Sequence, residues 1–392
     1  MILSWIGLVV SIAVILGLAR KHLPLALVCG AVVLGLFTLA PNAMLATIGH
    51  TLTDVSIILL AAAMGVIPMI GGVMKESGQM DDLVNNMRIS RKGLMGLSPA
   101  IMGLLPMPGG ALLSAPILER GGVGVPADLK VAINDWFRHL LVMIYPLSSA
   151  LIASAKISNL NVYTAALYVL PACVFALFLG YMFFVRKVEG TITYSGVFQL
   201  KNLLLPLGIV LSAPILEFTL KKVFALPIPE IATLCGVSVA FTLALVLSRK
   251  KLALGTIARK MKPWNFSLII IGMFIFLNIF KASSVANLIA TIPLPPVTLA
   301  VVMGFALGIA TGRVLLPASI IIPVYLTMGS MTPVVFATVY TSIFFGYVIS
   351  PVHPCVGVSL EYFSVSLKDF LKLLAVPTFI VFFVCLVVSF FI

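Results

Sequence analysis

The sequence is poor in charge: only 9% of its 392 residues are charged, and just 12 are acidic against 25 lysines and arginines. A water-soluble chain carries roughly a quarter charged residues, so a soluble fold is excluded. With 61% hydrophobic residues and a mean hydropathy of +1.20, most of the chain must face lipid or other buried helices. Catalytic signatures are missing too. The absence of a P-loop GxxxxGK[ST] excludes ATP hydrolysis, and there is no HExxH, no GxSG nucleophile motif and no GxGD. Neither an enzyme nor a cofactor is expected. The five cysteines (Cys29, Cys173, Cys235, Cys355, Cys385) lie scattered in apolar stretches with no CxxC. They read as small buried hydrophobes, not as metal ligands or disulfide partners.

What is present is a series of long apolar windows. Segments near 2–19, 23–40, 55–74, 131–152, 163–185, 203–220, 228–248, 264–281, 332–353 and 373–392 are long enough to cross a bilayer. The first has no basic stretch before it and is followed by Arg20 and Lys21, so it reads as a transmembrane helix and not as a signal peptide. Two further apolar stretches, 94–118 and 296–330, carry Gly and Pro at their centres. If each is a re-entrant hairpin that enters and leaves on a single side, 19 of the 25 basic residues fall in loops assigned to the cytoplasm. Lys156, Lys221, Lys222 and Lys281 fall on the other, while Arg138 and Arg313 fall inside. Treating either stretch as a full crossing would move the Arg249–Lys262 cluster outside, against the positive-inside rule. The net charge of +13 is thus explained by orientation in a cell membrane and not by nucleic acid. Both termini are expected on the extracytoplasmic side.

This arrangement divides an all-α integral membrane chain into two similar halves. Each has three helices, a hairpin, then two helices, one of them broken by proline. Five crossings per half is an odd number, which inverts the second half relative to the first. The motif Pro106-Met107-Pro108-Gly109-Gly110-Ala111-Leu112-Leu113-Ser114-Ala115-Pro116 recurs in outline as Thr311-Gly312-Arg313-Val314-Leu315-Leu316-Pro317-Ala318-Ser319. About 205 residues separate Tyr145-Pro146-Leu147-Ser148-Ser149 from Ser350-Pro351-Val352-His353-Pro354. Inverted repeats with discontinuous helices at matching positions are the sequence pointer to a secondary transporter and its site.

Backbone groups are left unpaired at membrane depth only where protein or a water-filled cavity surrounds them. The broken segments are therefore the expected site. Each hairpin tip (Pro108, Gly109 and Gly110 in one, Thr311 and Gly312 in the other) starts a new helix arm whose free N–H groups suit an anion. Ser114 and Ser319 lie about one turn beyond the tips. Ser148, Ser149 and Ser350 lie at the proline breaks, and a Na⁺ near Ser114, Ser148 and Ser319 is one option. The alternative for the serines is bonding to their own helices. Arg313 can grip a carboxylate or phosphate bidentately. Asp135 and Arg138 share a helix face at i, i+3 with His139 adjacent, and His353 lies between two prolines; ionisable groups at membrane depth are candidate ion-coupling groups. A plainer reading puts Asn134 to His139 at the inner interface with Trp136 as an aromatic anchor. Gly304, Gly308 and Gly312 form a double GxxxG, expected to pack the second hairpin closely.

The run from Leu105 to Pro116, together with Asn134-Asp135-Trp136-Phe137-Arg138-His139, resembles a prokaryotic family of multi-pass membrane proteins of unassigned function. That family is grouped with gluconate permeases and citrate and dicarboxylate transporters in the ion transporter superfamily. The resemblance covers essentially the whole chain. It implies a homodimer in which each protomer has a scaffold (1–93 and 191–290) and a mobile domain (94–190 and 291–392) that moves like an elevator. The dicarboxylate carriers have Ser-Asn-Thr at their hairpin tips, whereas here the tips read Pro-Gly-Gly-Ala and Thr-Gly-Arg-Val.

The leading expectation is an ion-coupled secondary transporter (H⁺ or Na⁺) of a small organic anion, embedded in membrane lipid. The alternative is a lipid or polyprenyl-phosphate translocase, for which Arg313 and the basic inner loops would suit phosphate. A channel fits less well, because two occluding hairpins stand where a continuous polar pore would be needed.

Overall fold

The computed structural model describes residues 2–19, 22–104, 111–194, 197–224, 226–248, 250–283, 285 and 295–392, the side chains of Ile2, Ala19, Val84, Leu112 and Leu113 excepted. The described residues are helical, with no strand among them. In the first half they form α1 (Ile2–Ala19), α2 (Leu23–Thr38), α3 (Pro41–Thr53), α4 (Val55–Ser77), α5 (Gln79–Asn85), α6 (Arg91–Gly103), α7 (Ala111–Gly121), α8 (Ala127–Ile144), α9 (Ser149–Ile157) and α10 (Val162–Phe183). The second half forms α11 (Leu200–Val223), α12 (Glu230–Val246), α13 (Leu254–Met261), α14 (Pro263–Ala282), α15 (Pro296–Thr311), α16 (Leu315–Leu326), α17 (Pro333–Val348), α18 (Pro354–Phe363) and α19 (Leu367–Val388).

Helix starts follow local chemistry. Proline opens α3, α14, α15, α17 and α18, where its missing N–H has no partner to lose. The side chains of Asp54, Ser90, Asn161, Thr332 and Ser366 cap α4, α6, α10, α17 and α19. Among the described residues, five helices are long and apolar enough to cross a bilayer, or six if α8 and α9, bent by 44°, count as one span. The apolar α2, α12 and α17 have 16 or 17 residues, which at about 1.5 Å per residue is roughly 25 Å.

The two described arms of the segment 94–118, α6 and α7, pack against each other. Arg91 at the start of α6 donates from Nε to Gly121 O at the end of α7 (2.8 Å) and also reaches Val123 O, so both arms begin and end at one face. Arms of 13 and 11 residues are only about 20 and 16 Å long, too short to cross a core of about 30 Å. The second hairpin is α15 and α16, which contact each other across the left-handed Gly312 (φ +58°).

Apart from α5, which has no counterpart among the described residues, the order of elements runs twice: two helices, a short helix, a long helix, a hairpin, a broken helix and a final helix. Several details repeat 205 positions apart, including the proline breaks at Pro146 and Pro351, and the caps Asn161 and Ser366. Asn159 and Ser364, two of the three non-glycine residues with positive φ among the described residues, obey the same offset. Packing is matched as well. Helix α2 packs on α14 as α12 does on α4, α3 on α14 as α13 on α4, and α6 on α8 as α15 on α17. The second hairpin arms cross over, α7 meeting α18 and α16 meeting α9. Contacts fall largely within two sets, α1–α5 with α11–α14 and α6–α10 with α15–α19.

The structure departs from the expected segments in places. The stretch 131–152 breaks after Ile144, as Pro146 leads one to expect, because proline supplies no N–H to continue the helix; the helix before the break starts earlier than expected, at Ala127. The stretch 332–353 ends at Val348, and 354–363 forms a separate helix before α19, which runs over Leu367–Val388 and not 373–392. Trp136 is no interfacial anchor. It is buried, donates to Ala176 O (2.9 Å) and packs on Phe184 and Phe345. Asn134 to His139 lie in the interior.

Candidate functional site

Three interruptions meet at one place. The tip of the second hairpin sits on the break between α17 and α18, where a Cβ on Gly312 would lie 2.8 Å from His353 N. The first hairpin arm presses on α8, where a Cβ on Gly103 would lie 1.8 Å from Arg138 O, so only glycine fits. Close packing by the GxxxG face holds α15 in place: a Cβ on Gly308 would meet Ile343 O at 2.5 Å, and one on Gly346 would meet Phe305 O at 2.3 Å. Between these elements and α14 lies a cavity of about 520 Å³.

Arg138, His139, Ser148, Ser149, Gly312, Arg313 and His353 all line this cavity. Lys262 at the start of α14 adds a third cation, and no acidic residue lines the space among the described residues. None of these three cations is in an ion pair among the described residues. Unpaired positive charge beside an apolar wall is an arrangement that an anion completes.

Behind the cavity, Asp135 is 1% exposed, and its Oδ1 is 3.6 Å from Nδ1 of both His139 and His353. The His139 Nδ1–H donates to Asp135 O at 2.5 Å. Neither Asp135 carboxyl oxygen has a hydrogen-bond partner among the described residues, nor has Arg138 Nη1 or His353 Nδ1. A buried carboxylate facing two imidazoles with no donor is incomplete without a proton or a cation. The His139, His353 and Tyr347 rings contact one another, with centroids 4.1–5.1 Å apart.

Other expected site residues lie elsewhere. Ser114 donates to Asn134 Oδ1 (2.6 Å), and Asn134 Nδ2 donates to Ser359 (3.0 Å), away from the cavity. Ser319 donates to Leu316 O (2.8 Å), Thr311 to Leu307 O (2.7 Å) and Ser350 to Ile309 O (2.6 Å). These hydroxyls bond helix carbonyls. Ser114, Ser148 and Ser319 are therefore not gathered into one Na⁺ site: only Ser148 reaches the cavity. Pro108, Gly109 and Gly110 lie outside the described residues.

Sequence reasoning missed Lys262, Asn265, Phe266, Tyr347 and Cys355, all of which line the cavity. Only Cys355, two residues after His353, stood beside a residue already singled out. The others reach the cavity through tertiary packing, which leaves no local mark.

The family described as "Protein of unknown function (DUF401)" matches over residues 2–392. No curated protein matches the chain. Among solved structures, the chain is similar to one reported as "Crystal structure of the Alcanivorax borkumensis YdaH transporter reveals an unusual topology". The identity is 14% and the TM-score 0.57, over 93% of this chain and 95% of that one. At that identity the likeness is one of fold.

Proposed function

The chain belongs to the DUF401 family, and we propose that it is a secondary active transporter of a small organic anion, coupled to protons, working in a cell membrane by alternating access. The observation that carries this reading is the cavity where Arg138, Arg313 and Lys262 converge without an acidic partner, built from two broken helices and a hairpin tip. That is where transporters with paired repeats hold their substrates. The fold shared with the YdaH transporter agrees with it.

The matched element order, the 205-residue offset and the pairwise packing support two inverted repeats. The partition of contacts supports a scaffold of α1–α5 and α11–α14 against a mobile body of α6–α10 and α15–α19, moving in an elevator-like way. The cavity lies beside Lys262, at the basic, cytoplasmic end. At the other end Lys156 of the mobile body binds Ser56 (2.8 Å) and Glu230 (2.5 Å) of the scaffold, which favours an inward-facing state. The coupling ion we assign is H⁺, because Asp135 and His353 face each other without a donor, whereas the candidate Na⁺ serines are dispersed.

The test is uptake by proteoliposomes of labelled monocarboxylates, dicarboxylates, sugar acids and phosphates, under H⁺ and Na⁺ gradients applied separately. Saturable, H⁺-driven uptake lost in Arg313→Ala supports the reading. No uptake of any soluble anion under either gradient overturns it and brings forward a lipid-phosphate cargo.

A further inference from the structure

We propose, on the footing of the anion-transport reading, that the anion this cavity takes is amphipathic. Its charged head sits at Arg138 and Arg313, and an apolar or aromatic body lies against α2 and α14. The cavity is divided in this way. Its two arginines and its imidazole groups come from α8, the tip of the second hairpin and the break before α18, while its third cation, Lys262, stands on the facing side at the start of α14. The facing wall is Leu23 of α2, Met261 of α13, and Phe266 and Ile269 of α14. On that wall only Lys262 and Asn265 are polar.

A volume of about 520 Å³ lies within the roughly 300–1,000 Å³ of pockets that take drug-sized ligands. A short dicarboxylate would fill little of it. A polyhydroxy acid would press hydroxyls against Leu23, Phe266 and Ile269, where each loses water without gaining a partner. An apolar body gains instead: burying one methylene is worth about 0.8 kcal/mol, or about fourfold in affinity.

The test is calorimetric binding of ethane-, butane- and hexanesulfonate to the full chain in lipid nanodiscs, beside gluconate and citrate. The sulfonates share one permanently ionised head and differ only in apolar length. Affinity is expected to rise about fourfold per methylene and to exceed that for gluconate and citrate. Arg313→Ala should weaken all three sulfonates by a common factor of about ten or more, keeping the slope. Phe266→Ala should weaken hexanesulfonate far more than ethanesulfonate, flattening the slope. A flat series in wild type, tighter binding of gluconate or citrate, or a wild-type slope in Phe266→Ala overturns the proposal. Transport of gluconate with a flat sulfonate series leaves anion transport standing and removes the amphipathic cargo. A steep series in a protein that moves no anion does the reverse.

Discussion

Asp135 Oδ1 lies 3.6 Å from His353 Nδ1, although the two belong to different halves of the chain. Asp135 is on α8 and His353 precedes α18, so the pair ties the two broken helices together beside Arg138 and Arg313. No donor reaches the Asp135 carboxyl oxygens among the described residues.

Asp135→Asn removes a buried charge that has no hydrogen-bond donor, and an amide fits the same space. The variant is expected to melt at the wild-type temperature or above, since an unpaired buried charge costs stability. It should also lose gradient-driven uptake by at least about tenfold while retaining exchange of anion for anion, because a proton-coupling group supplies driving force and not binding. Melting curves, together with exchange and gradient uptake on one preparation, check both. Retained H⁺-driven accumulation in Asp135→Asn would remove this residue from coupling.

Gly103 gives a packing prediction. A Cβ there would meet a backbone oxygen, Arg138 O, at 1.8 Å, so neither partner can rotate away. Overpacking typically costs about 1–3 kcal/mol, and Gly103→Ala should lie at or above the top of that range. It should also displace α8 and weaken anion binding through Arg138. Gly208→Ala, where nothing lies within 4 Å, should melt as wild type does. Thermal melts of the two variants decide it, and equal melting would contradict the close approach of α6 to α8.

Lys156 and Glu230 give a third. The Glu230 side chain is 8% exposed and Lys156 36%, and their charged atoms are 2.5 Å apart. Removing the lysine leaves a nearly buried carboxylate without its cation, whereas Glu230→Gln leaves a half-exposed lysine that water can serve. Lys156→Ala should therefore melt lower than Glu230→Gln. Breaking the pair should also raise labelling of the outer end by a membrane-impermeant reagent, since it joins the two bodies there. Equal melting temperatures and unchanged labelling would remove the pair as a closure.

Much of the fold was written in the sequence because bilayer physics writes loudly. A helix break at membrane depth needs Gly or Pro, so Pro146, Pro351 and Gly312 marked the interruptions. The short helices α3, α5 and α13 escaped because windows tuned to long apolar runs pass over 7–13-residue helices. At the site, Arg138, Arg313, His139 and His353 stood out because charge inside apolar sequence is rare. Ser114, Ser319, Thr311 and Ser350 stood out for position alone; the last three bond helix carbonyls and Ser114 bonds the Asn134 side chain. Phe266 and Tyr347 carried no mark, since an aromatic residue in an apolar helix looks the same facing lipid, core or cavity.

The most direct measurement is the internal pH of proteoliposomes, read by a trapped dye, when a transported anion is added outside without any imposed gradient. Internal acidification in wild type, absent in both Asp135→Asn and Arg313→Ala, is the result expected of proton-coupled anion entry through this cavity. Anion entry at wild-type rate with no change in internal pH, or acidification that survives Arg313→Ala, would contradict it.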